Sequence, residues 1–210
     1  MTTAAAATPV HARPFGVRVS AALAGAVLVA LAAQVALPIP GTPVPFTLQP
    51  LAVLIVGGLL GPRYGALSMV LYLAMGAAGL PVFTPGGLPG LARLFGPTGG
   101  YLLAYPVAAA VVGRVGGWAG GRPVTSGGGA VADTTTRRSA YPPVVAASLA
   151  GLAGLMAIHA GGLAQLTILT GSAQAAFAAG VLPFLAGDLI KVFLAALVIR
   201  RFASSTRALH

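Results

Sequence analysis

Two ionisable residues stand inside an otherwise apolar run, Phe184-Leu185-Ala186-Gly187-Asp188-Leu189-Ile190-Lys191. Lys191 is the sole lysine of the chain, and Asp188 is one of two acids, the other being Asp133. On a helix a spacing of three puts both side chains on one face, about 4.5 Å apart along the axis. An ionised side chain at mid-membrane depth costs at least about 2.5–3.5 kcal/mol, so such groups are rare without a partner or a task. One reading is a site for a polar solute or ion. The other is a self-contained ion pair, or a lysine reaching back to the interface. Counted from Pro183, Asp188 lies about 7 Å and Lys191 about 12 Å into the run. That depth weakens the second reading.

Arg93 is the next residue with chemistry to offer. It sits in Pro81–Pro97, a stretch with four prolines and four glycines, too long for a simple turn and read as a structured loop. A guanidinium there suits two-pronged capture of a carboxylate; the bland alternative is a solvated loop charge. An aspartate accepts N–H donors and a lysine donates to a carbonyl oxygen. With an arginine for an anionic tail and apolar walls between, the set describes a small amphipathic anion with an amide-like head group. No paired His or carboxylate ligands suggest a metal. No catalytic residue is assigned, because phosphate loop, nucleophile elbow and His-Glu-x-x-His are all missing. His159, alone among Ala and Gly, reads as a packed or pore-facing histidine rather than a base.

The elements that position these residues follow from composition. Of 210 residues, 57% are hydrophobic and 7% charged, against roughly 25% charged in soluble domains. The expectation is an all-α integral membrane protein. Apolar runs of spanning length or near it lie at about 17–37, 46–60, 64–80, 99–115, 142–167 and 183–202, giving six transmembrane helices. Residues 1–16 are expected to be a disordered cytoplasmic N-terminus and 17–202 the membrane domain. A flexible cytoplasmic linker at 118–139 and a cytoplasmic tail at 203–210 complete the division. Arg13 and Arg18 before the first run resemble a signal peptide, but the run is long enough to span and is read as a retained helix. Cysteine is absent, which excludes disulfide and thiol chemistry.

The cations give an independent check. With the N-terminus in the cytoplasm, Arg13, Arg18, Arg63, Arg114, Arg122, Arg137, Arg138, Arg200, Arg201 and Arg207 fall on the inner side, ten of twelve Lys and Arg. This is the positive-inside pattern, and it sets both termini in the cytoplasm. It also explains the net charge of +10 without nucleic acid, for which no basic face or aromatic platform exists. Arg93, Asp188 and Lys191 then fall together in the outer half. On the first helix Ala22, Ala26 and Ala30 recur every four residues, a stripe that permits close helix contact.

Several motifs carry a family resemblance. They are Pro43-Val44-Pro45-Phe46-Thr47-Leu48-Gln49, Gly79-Leu80-Pro81-Val82-Phe83, Gly96-Pro97-Thr98-Gly99-Gly100-Tyr101, and Leu182-Pro183-Phe184 followed by Asp188-Leu189-Ile190-Lys191. From about Ser20 to Arg201 the chain resembles the BioY family, the biotin-capturing S components of energy-coupling factor transporters. The resemblance implies six helices in the cell membrane and biotin bound near the outer face, under the loop joining the first two helices. It implies a separate membrane coupling subunit and two ATPase subunits, the former met by small residues such as Ala22, Ala26 and Ala30. Biotin is then the transported ligand, and no cofactor is expected. In this reading Asp188 accepts from the ureido N–H groups and Lys191 donates to a ligand oxygen. Arg93 holds the carboxylate, and Gln49 and Tyr101 add hydrogen bonds; the two ends of the ligand remain exchangeable. The Ile158-His159-Ala160-Gly161-Gly162 stretch departs from the more aromatic family pattern. A self-sufficient carrier for biotin or another small anion is the alternative, and an intramembrane enzyme lacks its nucleophile or metal.

Overall fold

The computed structural model describes residues 15–119 and 142–206. Arg13, Arg122, Arg137, Arg138 and Arg207, with most of the expected linker and tail, lie outside these. Helix α1 (Phe15–Gln34) is followed by two short strands, β1 (Ala36–Leu37) and β2 (Phe46–Thr47). They pair antiparallel, Ala36 with Thr47 and Leu37 with Phe46. The 38–45 segment between them holds Pro38, Pro40, Pro43 and Pro45, which cannot continue a helix. Helix α2 (Gln49–Ala77) starts with Pro50 in its first turn, where a missing N–H costs nothing. It is bent at Gly61, whose φ of 75° is one glycine tolerates, and Pro62 follows. The limbs 49–60 and 62–77 correspond to the second and third apolar runs.

A 3-10 turn at Gly90–Phe95 leads into α3 (Gly99–Ala119). Helix α4 (Pro143–Thr170) ends at Gly171, in the left-handed conformation with φ 69°. A short helix not foreseen from hydropathy, α5 (Ala173–Gly180), is capped by Ser172 Oγ, which accepts from the Ala175 N–H at 3.3 Å. A 3-10 turn at Leu182–Phe184 leads into α6 (Leu185–Thr206). The expected first helix therefore stops three residues early, where β1 begins. The 183–202 helix begins two residues late, because Pro183 lies in that turn, and extends past 202.

Among the described residues, four stretches are long and apolar enough to cross a membrane: Phe15–Gln34, Gln49–Ala77, Pro143–Thr170 and Ala173–Phe202. The second contains the bend at Gly61. Helix α3, with Tyr101, Tyr105, Pro106 and Arg114, is less apolar. The outward faces carry exposed Leu23, Leu31, Met156, Ile168, Leu189 and Phe193, an arrangement suited to lipid rather than water. Close contacts use small residues, as expected where lipid supplies no hydrophobic drive between helices. A Cβ at Gly57 would lie 2.6 Å from the Ala109 carbonyl oxygen, and one at Gly161 would lie 2.5 Å from that of Gly100.

The same logic applies where α1 meets α2. Ala22 and Ala26 are fully buried inside the chain, and Ala30 is partly buried. Neighbouring Gly25 comes so close to α2 that a Cβ there would lie 2.6 Å from Ser68 Oγ. Ala22, Gly25 and Ala26 let α1 close onto α2.

Candidate functional site

The connections 35–48 and 78–98 lie at one end of the bundle. Gln34 Nε2, at the end of α1, donates to the carbonyl oxygens of Pro81 at 3.5 Å and Phe83 at 3.4 Å. This places Gln49 at the start of α2, Tyr101 at the start of α3, and Asp188 and Lys191 in the first two turns of α6 around a common space. All four line a narrow cavity of about 50 Å³ with Thr47, Thr84, Tyr105, Ile158, His159 and Phe184. Arg93 does not line it. It lines a wider neighbouring cavity of about 720 Å³ walled by the 36–45 and 85–98 segments. Val44, Pro45 and Thr98 border both spaces.

Lys191 Nζ donates to Asp188 Oδ1 at 2.9 Å, with both residues at most 4% exposed. The ammonium also stands 3.7 Å from the centroid of the Phe46 ring, an attractive cation–π placement. Phe46 stacks in turn on Phe184, centroids 6.5 Å apart and planes within 4°. Gly187 makes room for this: a Cβ there would overlap the Phe46 ring. The strand-bearing 36–47 segment is thus seated on the ion pair itself. His159, singled out in the sequence without a role, brings Nε2 to 2.9 Å from Asp188 Oδ2.

The expected hydrogen-bonding residues are more committed than their types suggest. Gln49 Oε1 accepts from Thr47 Oγ1 at 3.3 Å and Thr84 Oγ1 at 3.2 Å, and its Nε2 donates to the Tyr72 hydroxyl oxygen at 2.7 Å. Tyr101 donates its hydroxyl to the Gly180 carbonyl at 2.7 Å, tying α3 to α5. Gly162 lets that ring lie against α4, since a Cβ there would overlap it. Arg93 is buried rather than a solvated loop charge; it donates to the Thr84 carbonyl, and its Nε is buried with no partner among the described residues. Burial pulls its guanidinium below the ordinary value, yet an arginine stays charged at any working pH. Thr47, Thr84 and Tyr72 were not singled out in the sequence. Polar but uncharged, they lack the charge-in-lipid anomaly that marks Asp188 and Lys191.

A helical bundle with lipid-compatible faces, enclosing a fixed ion pair beside a cavity, defines the class of membrane-embedded proteins with a buried polar site. Comparison with known proteins narrows the class. Residues 6–208 match the BioY family, and the chain belongs to that family. A probable biotin transporter BioY from Pyrococcus horikoshii is 35% identical over 78% of this chain and 83% of its own. The biotin transporter BioY of Thermotoga maritima is equally similar over the same shares. That of Rhodobacter capsulatus is 35% identical over 86% of this chain and 90% of its own. The crystal structure of the S-component for biotin from an ECF-type ABC transporter, at 24% identity, superposes with a TM-score of 0.74 over 92% of this chain and 95% of that one. The fold is that of an S-component. The chain is a multi-pass protein of the cell membrane and a transport protein, not an enzyme.

Proposed function

We propose that this protein binds biotin and presents it for uptake as the S component of an energy-coupling factor transporter, with a membrane coupling subunit and two ATPase subunits as partners. The two limbs of α2, with α1, α3, α4 and α6, serve as six spans with both chain ends in the cytoplasm. The site end then faces outward, in accord with the arginine distribution. One observation carries the ligand assignment: the buried Asp188–Lys191 pair at the wall of the narrow cavity.

A carboxylate offers about four lone-pair positions, so Asp188 retains acceptor capacity for a ureido N–H after meeting Lys191 and His159. Lys191 has further N–H groups for a ligand oxygen. The narrow cavity is too small for the whole ligand, so the fused rings take it and the valerate chain reaches into the wider cavity. There Arg93, with Nε unspent, meets the carboxylate. Gln49 keeps one N–H for the ligand, whereas Tyr101 acts through its ring and as an acceptor. Titration calorimetry of the purified protein with biotin, desthiobiotin, riboflavin and thiamine tests the assignment. Biotin is expected to bind far tighter than either unrelated vitamin; equal or absent heats across the set refute it.

A further inference from the structure

One side chain in the narrow cavity has no task in this scheme. His159 on α4 points Nε2 at Asp188 Oδ2, 2.9 Å away, while Lys191 holds Oδ1. A carboxylate paired with an ammonium is ionised and only accepts, so Nε2 is the nitrogen that carries hydrogen. In the neutral ring Nδ1 is then a bare acceptor. It is buried and has no partner among the described residues, although His159 lines the cavity. The ring is held edge-on to Tyr101, centroids 6.3 Å apart and planes at 82°, and Asp188 fixes its rotation. A buried acceptor held in place without a donor is uncommon in a folded protein.

We propose that His159 is a specificity-determining residue of this site, its Nδ1 accepting a hydrogen bond from an N–H of the ligand head group. Asp188 takes one N–H and His159 takes a second, so the pair selects a cyclic urea over a lactam. A site built to pair a ligand N–H rejects the analogue lacking it, because its own polar group is left unpaired. The inference rests on the reading of the cavity as a biotin site and assigns one of the two ureido nitrogens to a named partner.

The test compares biotin with the two lactam analogues in which one or the other ureido N–H is replaced by CH₂, in the unmodified protein and in His159→Phe. In the unmodified protein each replacement is expected to weaken binding about tenfold. In His159→Phe the penalty at one nitrogen is expected to fall to about twofold or less, while the other persists. A histidine that merely braces Asp188 would weaken all three ligands in proportion and leave both ratios unchanged; that result overturns the proposal. A second measurement needs no change at His159. With His11 and His210 replaced by Asn, the ¹⁵N imidazole spectrum reports His159 alone of the three histidines. An Nε2–H tautomer whose Nδ1 signal shifts on saturation with biotin is expected. An Nδ1–H tautomer, or a signal unmoved at saturation, contradicts it. Failure of the unmodified protein to bind biotin removes the ligand reading and this inference together; binding with an unmoved ring removes this inference alone.

Discussion

A lysine ammonium 2.9 Å from a carboxylate and 3.7 Å from the centre of a phenyl ring is held rather than reaching for water. The sequence already made this pair conspicuous, since two charges three residues apart in lipid demand a reason. Arg93 was conspicuous too, as the other cation outside the cytoplasmic set besides Lys191. What it does was less legible: the Thr84 carbonyl that receives it comes from a loop with no charge pattern. Its role in the ligand scheme has a clean test. Arg93→Gln is expected to weaken biotin by about 1.5–3 kcal/mol, the range for a charge-assisted hydrogen bond. Biotin methyl ester, which lacks the anionic end, is expected to bind both proteins within about twofold. Equal losses for acid and ester would remove Arg93 from carboxylate recognition.

At the level of elements, the apolar runs were readable because length and hydropathy mark them, to within a few residues at each end. The β1–β2 pair was not. Its strands are two residues each and flank four prolines, so no alternation can announce them. Helix α5 was missed because its Ala-rich sequence differs little from the apolar runs around it. The small-residue stripe of α1 was seen, but not that Ala22 and Ala26 are buried within the chain; spacing identifies a close contact without saying which helix makes it. Glycine now decides two contacts. Gly187→Val is expected to unseat Phe46 and weaken biotin tenfold or more, with helix content by circular dichroism unchanged. Gly162→Val is expected to cost about 1–3 kcal/mol of stability through overpacking against Tyr101, read as a lowered Tm in detergent. Wild-type affinity in the first variant would show that the 36–47 segment does not hold the ligand.

At the scale of the described fold, the buried charged residues Arg93, Asp188 and Lys191 gather at the end where 35–48 and 78–98 converge. The orientation is open to direct measurement because the chain has no native cysteine. Single cysteines at Leu88 and at Ser204 sample the two ends. A membrane-impermeant maleimide applied to intact cells is expected to label the first and leave the second untouched until the membrane is opened; the reverse pattern would invert the topology.

The most direct test of the central claim is biotin affinity in Asp188→Asn and Lys191→Met, each checked for a monodisperse, helical protein. Each substitution removes a charged group's hydrogen bond to the ligand, worth about 1.5–3 kcal/mol. Each variant is therefore expected to bind biotin about ten- to a hundredfold more weakly than the parent. Parental affinity in both would mean that the pair braces the bundle and grips no solute.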